Sequence, residues 1–114
     1  MAATQAIPVR LALALALLLG PAERIALGDD EAQGWIAYNQ DLLKRRLREP
    51  ESARFRNVFF SRKAGVPVAC GEVEAKTASG AMSGFQRFVG AGSVGVFLPG
   101  DVDDFETLWR HFCR

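Results

Sequence analysis

Histidine is almost absent from this sequence: His111 is the only one. It stands two residues from Cys113, and on a helix such side chains point about 200° apart, a poor arrangement for one metal ion. His111 reads instead as a cation near a helix end. Net charge is missing too, since 14 Lys and Arg face 13 Asp and Glu, which leaves no polyelectrolyte character. The serine-nucleophile patterns G-x-S-x-G and S-x-x-K are absent around Ser79 and Ser83, so a serine hydrolase has no support. Long hydrophobic runs are lacking: residues 11–20, LALALALLLG, supply about half of the roughly 20 residues a bilayer-crossing helix needs. Glu23 and Arg24 interrupt any extension of that run, which makes a membrane anchor the weaker reading.

What the N-terminus does have is the order of a secretory signal peptide: Arg10, the apolar run, then small residues at Gly20, Ala22, Ala26 and Gly28. Cleavage after Gly28 is preferred, with Ala22 as the alternative. No cysteine stands near either site, so a lipid-modified N-terminal cysteine and a stable transmembrane anchor after cleavage are not expected. Residues 1–28 are then the leader, and residues 29–114 a single small domain of 114 − 28 = 86 residues. Removing Arg10, Glu23 and Arg24 leaves 12 acidic and 12 basic side chains in it.

A domain this small buries a modest fraction of its surface and gains from a covalent staple. Cys70 and Cys113 are the only cysteines. Export places them in an oxidising compartment, where an even count in a small domain is normally a disulfide. The loop closed would be about 40 residues, worth about 4 kcal/mol in the chain-entropy model.

Asp29, Asp30 and Glu31 open a stretch in which Trp35, Ile36, Tyr38, Leu42, Leu43 and Leu47 recur at helical spacing. Pro50 disfavours helix at Glu49, so the helix should stop around Arg48, with Pro50 starting a turn. "FRNVFFSRK" reads as a strand with apolar groups on both faces, and "VPVACGEVEAK" as a second. Period two puts Val66, Val68, Cys70, Glu72 and Glu74 on one face of the second strand. "TASGAMSG" is a loop by composition, and "FQRFV" and "SVGVFL" are the third and fourth strands.

A C-terminal helix should follow, with Asp101 as N-cap, Asp104 three residues on, and a stripe of Val102, Phe105, Leu108, Trp109, Phe112 and Cys113. The order predicts an α+β fold: an N-terminal helix, a three- to four-stranded antiparallel sheet, and a C-terminal helix packed on it. "GAGSVG" matches G-x-G-x-x-G through Gly90, Gly92 and Gly95, but a strand-like segment follows where a phosphate-binding helix is needed. No cofactor is therefore expected.

"EPESARFRNVFF" and "CGEVEAKTASGAMSGFQRFV" together resemble a family of small, uncharacterised, proteobacterial secreted proteins. Its pattern is D/E-P-x-S-A-x-F-R-N-V, then C-G-E-V-N-x-K-N, then G-G-Y-x-G-F, covering roughly residues 49–90 here. This chain has Glu74, Thr77 and Met82 where the family has Asn, Asn and Tyr. The resemblance implies export, to the periplasm or beyond the cell, and brings no activity with it.

Two candidate contact surfaces emerge. One is the loop carrying Thr77, Ser79, Gly80, Met82, Ser83, Gly84 and Phe85. The other is the basic cluster Lys44, Arg45, Arg46, Arg48, Arg54, Arg56, Arg62 and Lys63, which stands against Glu49 and Glu51 alone between residues 44 and 63. Such a cluster suits an anionic envelope component or an acidic protein surface, or is simply a solvated face. Nucleic acid is disfavoured by the balanced charge and the compartment. The leading expectation is an exported non-enzymatic module that binds an envelope component or another protein. The alternatives are an inhibitor inserting its Ser-Gly loop into an enzyme cleft, as small periplasmic lysozyme inhibitors do, and a small hydrolase using Glu72 and Glu74.

Overall fold

The computed structural model describes residues 29–114; the expected leader and both candidate cleavage sites lie outside the described residues. Residues 32–114 form one compact unit. Asp29, Asp30 and Glu31 are helical and exposed.

The described part of helix α1 covers residues 29–44. Four antiparallel strands follow in the order β1-β2-β3-β4: Arg54–Ser61, Val68–Glu74, Gln86–Gly90 and Val96–Phe97. Helix α2, Phe105–Phe112, closes the fold. The expected α+β meander with a helix at each end is what forms.

The two helices take opposite faces of the sheet. Leu43 of α1 packs with Val73, Phe88 and Val96, supported by Phe55, Val58 and Leu98. On the other face Phe105 packs with Val68, Cys70 and Val89, supported by Leu108, Trp109 and Phe112. Neighbours such as Phe88 and Val89 can serve both cores because successive strand side chains point to opposite sides. That is why Phe88 and Val89, adjacent on β3, are both fully buried.

Strand β1 does not keep a strict period of two. Arg56 pairs with Glu72 and Phe59 with Cys70, three steps on one strand against two on the other. The extra residue is a β-bulge, and Asn57 takes φ 53° there, a left-handed conformation that asparagine tolerates better than most side chains. The bulge turns Val58 onto the α1 face beside Phe55, and Phe59 onto the α2 face, where its ring meets Trp109 edge-on at 6.2 Å. Gly71 lies beneath: a Cβ there would sit 2.8 Å from Val58 Cγ2 and 3.1 Å from Phe88 Cε1.

Three local expectations are corrected. Helix α1 ends at Lys44 rather than near Arg48. The Arg46 and Leu47 amides make tight i−3 bonds to Leu43 and Lys44, and the Arg46 side chain leaves the helical path to reach Val96 O and Asp101. The fourth strand shrinks to Val96–Phe97, because Gly92–Val94 form a 3-10 turn. The N-cap of α2 is Asp104, whose carboxylate accepts from Thr107 N at 3.1 Å. Asp101 instead ends a 3-10 turn that begins at Pro99, and accepts from Leu98 N at 2.8 Å. The expected loop "TASGAMSG" forms the end of an ordered hairpin.

The glycines of "GAGSVG" have packing and conformational uses. A Cβ on Gly90 would fall 2.6 Å from Asn39 Oδ1, and one on Gly92 would fall 2.5 Å from Trp35 Cη2. Asn39 is fully buried in α1, donates to Trp35 O at 2.9 Å and accepts from Gly92 N at 2.8 Å. This side chain clamps the β3–β4 turn to the helix.

Candidate functional site

The Cys70–Cys113 disulfide is formed, spanning 43 residues and joining the centre of β2 to the end of α2. Cys70 is fully buried. The same end of α2 is held twice more, by Ser61 Oγ donating to Phe112 O at 2.6 Å and Lys63 Nζ donating to Arg110 O at 2.8 Å. These ties fasten α2 over the β1–β2 side of its face.

The hairpin joining β2 to β3 continues past the sheet through a Lys76–Met82 bridge. Thr77 N donates to Ala81 O at 2.8 Å, Gly80 N to Thr77 O at 2.9 Å and Ser83 N to Ala75 O at 2.8 Å. Gly80 and Gly84 take φ near +86° and +80°, which a glycine adopts without steric cost. The Thr77 hydroxyl also bonds to Ala81 O at 3.1 Å and lies 3.0 Å from Ser79 Oγ. Residues 76–81 are all exposed, with Met82 half-buried behind them.

Two contacts fasten the hairpin's base. Ser52 Oγ, in the 3-10 turn Pro50–Ser52, accepts from Lys76 N at 2.9 Å and donates to Glu49 O at 2.7 Å. The Arg56 guanidinium lies 3.8 Å from the centroid of the Phe85 ring. The tip is thus fixed in backbone while its side chains stand in water.

Glu72 is half-buried among partners. Its carboxylate accepts from Asn57 Nδ2 at 2.8 Å and Arg56 NH2 at 3.1 Å. Those two hydrogen bonds, Asn57 first, hold its pKa below the ordinary carboxylate value. Glu74 sits across the ladder from Arg54. A general acid needs a raised pKa, which these hydrogen bonds do not give Glu72. The same face continues in Arg87, which pairs with Glu106 and lies 5.0 Å from the Trp109 centroid.

The basic cluster is not one surface. Arg46 forms a two-pronged pair with Asp101, 2.8 Å on each prong, near the β4 edge. Arg56 and Lys63 are engaged at β1, on the opposite edge of the sheet. Lys44 lies over Phe55 at 5.9 Å and Arg62 over Phe60 at 5.5 Å. Arg45, Arg48 and Arg54 are exposed.

A further feature went unread in the sequence. A half-open hollow of about 610 Å³ lies where Leu108 and Phe112 of α2 face Val68, Val89 and Phe97 of the sheet, with Trp35 as another wall. Its residues come from four distant segments, so no local pattern announces it. The exposed Val66 and Val94 are the one hint.

Among the described residues no helix is long and apolar enough to cross a membrane. Nor does any group of three or more His, Cys, Asp or Glu stand placed to hold a metal ion. No protein family, curated protein or solved structure matches the chain.

Proposed function

We propose that this chain is an exported, non-enzymatic binding module of the bacterial envelope or periplasm, and that the β2–β3 hairpin tip is its contact element. The observation that supports this reading is the combination at residues 77–83 of a backbone fixed by its own hydrogen bonds with side chains that, Met82 apart, are left exposed. A contact element of that kind loses little conformational freedom on binding, which favours affinity. The tip offers hydroxyls and methyls rather than titrating groups, which suits recognition more than catalysis. The disulfide fits an oxidising compartment.

Capture from envelope extract tests this. Wild-type protein should retain a partner that a double tip variant, Ala78→Arg with Ala81→Arg, loses. A variant with Arg45→Glu and Arg48→Glu should keep it, at low and at high salt. Retention by the tip variant together with loss by the arginine variant would transfer the role to an anionic partner and the basic residues.

The cleft-inserting inhibitor is a second reading, favoured by the extension of the hairpin past the last sheet pair at Val73 and Gln86. Purified protein would then inhibit a wall-degrading muramidase in a turbidity assay, and the tip variant would not.

A further inference from the structure

We propose that the hollow between α2 and the β3–β4 side of the sheet binds a single hydrocarbon chain of an amphiphile, whose headgroup stays in water. This inference is independent of the hairpin reading.

The hollow exists because of how α2 is fastened. Cys113, Phe112 O and Arg110 O are all tied toward β1 and β2. An eight-residue helix anchored there leaves Phe97 half-buried, and Val66 and Val94 exposed. The volume left, about 610 Å³, falls within the usual range of small-molecule pockets, about 300–1,000 Å³.

The lining chemistry selects the occupant. Among the described residues Ser93 supplies the only polar side chain apart from the Trp35 indole, and no charged residue lines the hollow. The indole N–H itself is buried with no hydrogen-bond partner among the described residues. Water needs two to four polar partners per molecule, and about twenty waters would be required to fill this volume at about 30 Å³ each. Apolar walls leave such water poorly bonded and easily displaced. A charged group placed inside would find no counterion. The interior therefore takes hydrocarbon.

The mouth argues for an amphiphile over a wholly apolar compound. Val66 and Val94 are 49% and 80% exposed, and both line the hollow. The apolar surface thus runs from the interior out to solvent, which matches a chain that enters from a headgroup in water.

Titration calorimetry with octyl, decyl and dodecyl maltoside below their micelle concentrations tests this directly. Affinity should rise about four-fold per added methylene until the hollow is full, and the binding heat capacity should be negative. Two further probes of equal chain length, laurate and lauroyl lysophosphatidylcholine, distinguish a free fatty acid from a membrane lipid as the source. Binding of either supports the chain site, and the tighter one names the source.

Val94→Asp, at an exposed position that folding does not depend on, should weaken dodecyl maltoside about ten-fold or more. Leu108→Trp, checked for an intact disulfide and native circular dichroism, should shorten the longest chain accepted. Should Leu108→Trp fail to fold, Val94→Asp and the chain-length series decide alone. No binding of any probe, affinity independent of chain length, or equal affinity in Val94→Asp would each overturn the proposal.

Discussion

Arg56 stacks its guanidinium 3.8 Å from the centroid of Phe85 while donating to Glu72 at 3.1 Å, so a single side chain of β1 holds both the neighbouring strand and the base of the hairpin. The hairpin tip depends on that hold, because beyond Gln86 only the Lys76–Met82 bridge and the turn's own hydrogen bonds continue the pairing.

Removing the hold should loosen the tip without disturbing the core. An exposed cation–π contact is worth about 0.5–1 kcal/mol. Arg56→Ala is therefore expected to lower stability by about 1 kcal/mol and to speed hydrogen exchange at the Thr77 and Ser83 amides, which donate within the hairpin. The amides of β2 and β3 around Cys70 and Val89 should keep their protection. Equal protection of Thr77 and Ser83 in both proteins would mean that the turn's own bonds suffice.

The bulge makes a coupled prediction. Gly71→Ala places a methyl 2.8 Å from Val58 Cγ2, and overpacking of that kind costs about 1–3 kcal/mol. In a Val58→Ala background the nearest methyl is gone while Val58 Cα at 3.0 Å and Phe88 Cε1 at 3.1 Å remain, so the same substitution should cost less without becoming neutral. A denaturant double-mutant cycle measures the difference, and additive effects would show that Val58 and Gly71 do not meet. Asn57→Val should also destabilise, by about 1–2 kcal/mol more than Asn57→Gly, because both lose the bond to Glu72 and only valine resists a φ of 53°.

These residues explain which parts of the fold could be read from the sequence. Helical and strand periodicities, the facing of Cys70 with Val66 and Val68, and the stripe on α2 are local patterns, and the elements and disulfide followed from them. Several residues between 49 and 85 make structural pairings. Ser52 caps the turn against Lys76, Asn57 makes the bulge, Gly71 admits Val58, Glu72 binds Arg56 and Asn57, and Phe85 receives Arg56. None of those pairings is visible before the strands are in register. The bulge in particular breaks the period of two on which the face assignments rest, and the cavity needs the position of α2, which the disulfide and two tertiary hydrogen bonds set. Asp101 follows the same logic: an acidic residue after Pro-Gly resembles an N-cap, but its partner Arg46 is 55 residues away.

The disulfide should matter in proportion to the loop it closes. A 43-residue separation corresponds to about 4 kcal/mol of denatured-state entropy. Cys70→Ala with Cys113→Ala is expected to lower urea stability by about that amount, less whatever strain the native bond carries. With Cys70 fully buried and Cys113 half-buried, dithiothreitol should reach the bond of the folded protein chiefly through Cys113, at a rate that rises with urea. Rapid reduction without denaturant, followed by thiol alkylation, would show that the end of α2 opens locally.

The Arg46–Asp101 pair predicts an acid limb to the stability curve. Asp101 is held below its ordinary 3.8 first by the hydrogen bond from Arg46 and then by Leu98 N–H. A carboxylate depressed in the folded state contributes its stabilisation fully above the unfolded value and loses it as pH falls through the folded value. Stability should therefore be level near neutrality and decline below about pH 4, with Arg46 charged throughout. Asp101→Asn should cost no more than about 1 kcal/mol at pH 7, as befits a half-exposed pair, and nothing additional at pH 2, where the wild-type carboxyl is protonated. Glu72, Asp104 and Glu106 are depressed in the same sense, so the variant keeps a shallower acid limb rather than losing it. Thermal melts of both proteins from pH 7 to pH 2 read this directly. Curves that stay parallel down to pH 2 would mean that the Asp101 charge adds nothing to the fold beyond the hydrogen bonds an asparagine also makes.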